Sequence, residues 1–314
     1  MLTLLGLVWW MDRYQREPVW LFVLTFLWGG IGGVLFAVAG SAALEFPLLW
    51  LGMDPATADA LGAVVVAPLA EEPAKAMFLL IVIWNRGFDN MTDGFVYGAA
   101  AGLGFGMTEN FTYFASAGMS GDAFGWAETV VIRTIYSAVM HATATSMVGA
   151  SLGFARFRGW PMMVLSLAIG FPIAMTMHGL WNGILVFDQA RGGNTILSWL
   201  DFVFLPIEVI TVFAVFQLAL WEESGTIRRE LEEEARTGLI PADHPGILAS
   251  WWKRRRRDFA PKGVEHHQYV RAVTALALRK SQARRADASD EFYRDEVARL
   301  RRSIQLLIAR GSKA

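Results

Sequence analysis

The 314-residue chain has no cysteine, which excludes a disulfide framework, a thiolate nucleophile and Cys-ligated metal. Charge is scarce as well: Asp, Glu, Lys and Arg together make 18% of the residues against 54% hydrophobic ones. That balance excludes an ordinary soluble domain of this size. Basic residues are sparsest in the first two thirds, where residues 1–221 hold 8 Lys and Arg against 15 Asp and Glu. Residues 222–314 reverse the ratio to 20 against 14, so the two parts suit different solvents. The start, Met1 to Trp10, lacks the basic region and small-residue cleavage site of a signal peptide. There is no His-Glu-x-x-His pair of the kind that marks many zinc proteases. Nor is there an internal repeat, which weighs against a transporter built on inverted halves.

Long apolar runs are abundant. Six stretches, 18–40, 60–84, 94–117, 127–154, 160–187 and 198–221, reach the roughly 20 residues that a bilayer core of about 30 Å requires. They predict an all-α, polytopic transmembrane helix bundle with six full spans over residues 1–221 and a soluble helical tail over 222–314. Leu2 to Trp10 is about half a span. It reads either as an interfacial helix or, the preferred reading, as a helix truncated at the chosen start. Arg13 and Arg16 precede the first span, Arg86 follows the second, and Arg156 and Arg158 follow the fourth. The alternate loops 41–59 and 118–126 carry Glu45, Asp54, Asp59 and Asp122 but no Lys or Arg. The positive-inside rule then places the tail in the cytoplasm.

Within the tail, Ile227–Arg236 reads as a short charged helix stopped at Gly238. From Tyr293, the residues Val297, Leu300, Ile304 and Leu307 form a heptad seam, expected to be an intramolecular packing face rather than a dimer interface. Ser289 is its expected N-cap and Gly311 its end. The basic run Lys253-Arg254-Arg255-Arg256-Arg257 follows Trp251 and Trp252, and is expected to touch anionic lipid rather than nucleic acid. His244, His266 and His267 read as surface histidines.

Ionisable side chains inside a span cost about 2.5–3.5 kcal/mol each on insertion scales, so each one needs a reason. The second span contains Glu71, Glu72 and Lys75, with Pro68 expected to kink it. Glu71 and Lys75 lie one turn apart and pair, whereas Glu72 points about 100° away and is expected to be left over. Two adjacent carboxylates in low dielectric suit general acid–base work. The third span holds Glu109, preceded by Gly98, Gly102 and Gly104, small residues that admit close helix approach. In the fourth, Arg133, Ser137, His141 and Thr145 are spaced by four, and in the fifth His178 and Asn182 are as well. Counting from the outer end of each span, Glu71, Glu109, His141 and His178 fall at roughly 17, 12, 21 and 13 Å, within one layer. Arg133 reads as a structural partner of a carboxylate, and Glu208 in the last span as an unexplained acid that Arg133 could serve.

At these residues the sequence resembles the PrsW family of intramembrane proteases, related to the CAAX-prenyl and Abi proteases. The family's Glu-Glu-x-x-Lys motif matches Glu71-Glu72-Pro73-Ala74-Lys75, and its Phe-x-x-x-Glu motif matches Phe105 to Glu109. Its later His-x-x-x-Asn-like motif matches His178 to Asn182, and His141 resembles a further family histidine. The resemblance covers about residues 8–225, and in the family a complete helix usually precedes Met11 to Pro18. It implies an intramembrane peptidase whose site residues are Glu71, Glu72, Lys75, Glu109, His141, His178 and Asn182. Glu72 or Glu71 would activate water, while His178 with Asn182 would stabilise the oxyanion or protonate the leaving amine. The cofactor stays open between a metal-free glutamate mechanism, slightly preferred, and zinc held by Glu109, His141 and His178. The expected substrate is a single-span membrane protein, by resemblance an anti-sigma factor, in a bacterial cytoplasmic membrane. A proton- or ion-coupled transporter and a non-catalytic membrane scaffold are the alternatives.

Overall fold

The computed structural model describes residues 1–119, 121–191, 198–256, 259–285 and 291–311. Ten helices organise them: α1 (Leu2–Met11), α2 (Val19–Trp50), α3 (55–76), α4 (Met91–Met119), α5 (123–155), α6 (Trp160–Ala190), α7 (Ser198–Arg236), α8 (His244–Leu248), α9 (His266–Arg285) and α10 (Glu291–Gly311). Among the described residues there is no strand. Contacts divide the chain into two compact units, Met1–Met11 with Glu17–Phe216, and Asp12–Arg16 with Gln217–Ala314.

Among the described residues three helices are long and apolar enough to cross a membrane: Val19–Trp50, Trp160–Ala190 and Val203–Arg236. The other three predicted spans are helical but fall outside that standard. In α3 the three charges of Glu71, Glu72 and Lys75 fall within five residues. In α4 every residue from Thr92 to Gly106 is buried, so its surface meets protein and has no need to be lipophilic. The outer helices carry the lipid-type surface instead, with Ile31, Leu35 and Val38 exposed on α2 and Val164, Leu165 and Ile169 exposed on α6. Trp20, Trp50, Trp84 and Trp160 are exposed near the ends of the apolar segments, the level at which indoles favour a membrane interface.

The central contact is α4 against α5, made close by glycine at every fourth position of α4. A Cβ on Gly94 would strike the carbonyl of Gly149, and one on Gly102 the carbonyl of His141. Gly98 and Gly106 face Ser146 and the His141 ring in the same way. Gly102→Ala is therefore expected to push α5 away at the height of His141, with an overpacking cost of about 1–3 kcal/mol. Thermal unfolding of purified protein should show a lower midpoint, together with lost activity although every polar site residue is intact. An unchanged midpoint would contradict this packing.

Among the described residues three π-helical turns interrupt the helices: Gly29–Gly33 in α2, Gly62–Val66 in α3 and Arg133–Ser137 in α5. A π-turn widens the helix and frees a carbonyl for outside partners. Gly30 O accepts from Thr108 Oγ1 at 2.7 Å, Ala63 O from Asn182 Nδ2 at 2.8 Å, and Arg133 O from Asn110 Nδ2 at 2.8 Å. The distortion expected at Pro68 is met by the second of these turns, just upstream, which accommodates the missing proline N–H. Gly179 leaves room for the Val64 carbonyl there, seating α6 beside α3.

In the second unit, Ile227–Arg236 is not a separate short helix. It is the end of α7, which continues because no proline interrupts it after Pro206. The helix ends before Gly238, whose positive φ turns the chain away. Ile227 and Leu231 pack with Tyr269, Val273 and Leu276 of α9, and the α10 seam buries Val297 and Ile304 in the same core. The seam is thus an internal packing face; its expected cap Ser289 lies outside the described residues. His244 is not a surface histidine. Its Nδ1 lies 2.6 Å from the Tyr269 hydroxyl, and burial pushes its imidazole below the usual range. His267 is exposed, while His266 is half-buried with Nε2 3.0 Å from the Arg254 carbonyl.

Candidate active site

Glu71 and Glu72 precede Lys75 by four and three residues, the two helical spacings that bring side chains together. Lys75 Nζ lies 2.7 Å from Glu72 Oε1 and 3.2 Å from Glu71 Oε2, so one lysine serves both carboxylates. The expectation that Glu72 would be left over is wrong. The 100° between the acids is spanned because the lysine sits angularly between them. Glu72 also accepts from Thr145 Oγ1 at 2.8 Å, and His178 Nδ1 lies 2.9 Å from its Oε1. Lys75 Nζ sits 4.1 Å above the Phe105 ring, a cation–π contact that helps hold a buried ammonium.

Hydrogen-bond roles follow from chemistry. The Lys75 ammonium only donates, so His141 Nδ1, 2.9 Å away, accepts. His141 Nε2–H then donates to Glu109 Oε2 at 2.6 Å. The Glu72 carboxylate only accepts, so His178 Nδ1–H donates to it and Nε2 keeps its lone pair, 3.7 Å from Glu71 Oε2. The two imidazoles meet edge to face with centroids 4.9 Å apart.

Glu109 Oε1 is paired with Arg133 Nη2 at 2.8 Å. Asn110 braces this arginine twice, accepting from its Nε at 3.1 Å and donating to its carbonyl, and Tyr113 lies under the guanidinium at 3.6 Å. Arg133 is thus the partner of Glu109 and not of Glu208, whose carboxylate oxygens are buried without a hydrogen-bond partner. Three carboxylates, Glu71, Glu72 and Glu109, face two permanent cations, Lys75 and Arg133, so with all three acids ionised and both histidines neutral the cluster carries a surplus negative charge. Accessibility separates the acids: the Glu72 side chain is 0% exposed, Glu71 14% and Glu109 24%.

Glu71, His141 and His178 each offer a ligand atom, all within 4.8 Å of one another. Two imidazoles and a carboxylate are a donor set of the kind that catalytic zinc uses, and the surplus negative charge favours a cation there. The residues therefore fit a zinc-type ion. The trio has Glu71 in place of the expected Glu109, because it is the Glu71 oxygen that lies within 4.8 Å of a nitrogen on each histidine, and ligation by His141 would take one of its nitrogens from Lys75 or Glu109. Six of the seven predicted site residues thus come together. Asn182 does not join them: its amide donates to the Ala63 carbonyl rather than to His178. The roles of Asn110 and Phe105 escaped the sequence reading, which placed Thr145 in the every-fourth-residue stripe with His141 but did not count it as a site residue.

Long apolar helices around a buried carboxylate–histidine cluster define an integral membrane protein with the equipment of a hydrolase. The family profile described as PrsW family intramembrane metalloprotease matches residues 17–220, which include every residue of the cluster, and the chain belongs to that family. It is accordingly an intramembrane peptidase. Two curated proteins named Protease PrsW are similar to it. The one from Bacillus subtilis (strain 168) is 26% identical over 180 residues, covering 55% of this chain and 73% of the relative. The one from Geobacillus kaustophilus (strain HTA426) is 25% identical over 236 residues, covering 73% of this chain and 88% of the relative. No solved structure matches significantly.

Proposed function

We propose that this peptidase cleaves single-span membrane proteins within the bilayer by glutamate-activated water. One observation carries the reading: Glu71 and Glu109 are the partly exposed carboxylates of the cluster, and each lies beside one of the two histidines. Glu71, His141 and His178 would hold a zinc-type ion, which when bound polarises a peptide carbonyl and lowers the pKa of water. Glu109 takes the proton from the attacking water as oxygen bonds to the carbonyl carbon. It then returns that proton to the amide nitrogen as the C–N bond breaks. Arg133, paired with one Glu109 oxygen at 2.8 Å, keeps that carboxylate aimed. Glu72 fixes the His178 tautomer through Nδ1, as second carboxylates do behind ligand histidines, and Lys75 balances the pair. Glu72 is too enclosed to meet substrate, so the water-activating role passes to Glu109.

The ligand trio and the surplus charge reverse the slight preference for a metal-free mechanism. Purified protein is expected to carry near-stoichiometric metal, lost together with cleavage in His178→Ala and in Glu71→Gln. Glu109→Gln should keep the metal and lose cleavage. Full activity after chelation in metal-free buffer would contradict the assignment.

In this reading α3, α4 and α5 also cross the membrane, giving six spans with the C-terminus in the cytoplasm of a bacterial cell. An anti-sigma factor is the substrate proposed, by the family resemblance. Since the chain has no cysteine, single introductions can be labelled on intact cells without background. Asp122→Cys is expected to react with an impermeant maleimide and Arg158→Cys to stay unlabelled until the cells are opened. The opposite pattern would overturn the orientation.

A further inference from the structure

The basic run and its tryptophans play no part in the chemistry above. Arg254 of that run is buried, with the acids Asp12 and Glu223 buried beside it, and its guanidinium lies 5.0 Å from the Tyr14 ring centroid. Its neighbours are presented outward: Trp252 is 75% exposed, and Lys253, Arg255 and Arg256 are exposed. Trp251 carries Arg13 on its ring at 5.1 Å and Arg255 at 4.2 Å. Asp12 and Glu223 are thus turned inward toward Arg254, while the exposed members of the run among the described residues are aromatic or cationic.

The chain itself places this surface. The Ala249 carbonyl accepts from Tyr14 Oη and from Ser224 Oγ, both at 2.8 Å. Tyr14 stands shortly before the apolar helix that begins at Val19, and Ser224 shortly after Trp221, where the last apolar run ends. Six residue steps lead from Arg13 to Val19, a reach of roughly 20 Å at most. The run is therefore tied by hydrogen bonds to two chain segments, one that leads into an apolar helix and one that leads out of another.

We infer that Arg13, Trp251, Trp252, Lys253, Arg255 and Arg256 form a docking surface for anionic phospholipid headgroups. Indoles favour that level, and exposed Lys and Arg there are drawn to anionic lipid. The inference rests on the chain being embedded in a bilayer and is independent of its proteolytic chemistry.

The test uses the full chain in nanodiscs of phosphatidylcholine alone or with one third phosphatidylglycerol. Trp252→Cys is alkylated with an uncharged, water-soluble maleimide, with Leu306→Cys, exposed on α10, as the control. Each basic residue near an anionic surface is worth roughly fivefold in partition, so Trp252→Cys should react at least about tenfold more slowly when phosphatidylglycerol is present. Leu306→Cys should react alike in both lipids. Adding Lys253→Gln, Arg255→Gln and Arg256→Gln should abolish the difference. Equal rates for Trp252→Cys in the two lipids, or a slowing that survives the triple substitution, overturns the inference.

Discussion

Glu109→Gln is expected to insert and fold like the wild type and to cleave at least about a hundredfold more slowly, the scale of lost acid–base catalysis. The stability half of this expectation comes from counting charge. With all three acids ionised the cluster holds one more anion than it has permanent cations, so removing one carboxylate leaves it balanced. The glutamine carbonyl can still accept from Arg133, which Asn110 holds in place independently, while the amide N–H turned toward His141 Nε2 loses that hydrogen bond at the most solvent-open acid of the cluster, a modest cost. The activity half comes from position. Glu109 is the most exposed acid of the cluster and lies 2.6 Å from His141 Nε2, yet it is not one of the three residues whose ligand atoms converge. Wild-type cleavage by Glu109→Gln would move the proton-accepting role to another carboxylate.

Glu72→Gln is expected to behave in the opposite way, losing stability first. Lys75 and Glu72 are both 0% exposed and 2.7 Å apart, and breaking a buried pair by neutralising one member costs about 3–5 kcal/mol. The amide also offers one acceptor where the carboxylate served Lys75, Thr145 and His178, so an N–H would be turned toward another donor. Its unfolding midpoint in detergent should fall well below those of the wild type and of Glu109→Gln. Replacing both partners, as in Glu72→Gln with Lys75→Met, should recover part of the loss, because the unpaired ammonium is gone. A single Glu72→Gln protein as stable as the wild type would show that the pair is not what holds these helices together.

The contrast between these two acids marks where sequence reasoning runs out. The all-helical architecture was legible because apolar runs of span length leave little choice of backbone in lipid. Much of the site was legible too, since charges and histidines spaced by four on successive spans must share faces and depth. Side-chain reach was not. That Lys75 lies between Glu71 and Glu72 follows from their spacing and was overlooked, whereas that Asn182 turns to Ala63 depends on a π-turn with no clear sequence signature. Hydropathy separated the lipid-facing helices from the buried ones and so favoured α2, α6 and α7 over α4, whose surface from Thr92 to Gly106 meets protein. His244 looked like a tail histidine because its partner Tyr269 is 25 residues away, in another helix.

The central claim is that Glu71 and Glu109, with the two histidines beside them, break a peptide bond inside the membrane. The most direct measurement reconstitutes purified wild type, Glu71→Gln and Glu109→Gln in liposomes with a single-span peptide tagged at both ends, and maps the products by mass. The wild type should cut within the apolar span and both variants should stay at background while remaining folded. Cleavage by both variants at the wild-type rate, or cuts only outside the span, would contradict it.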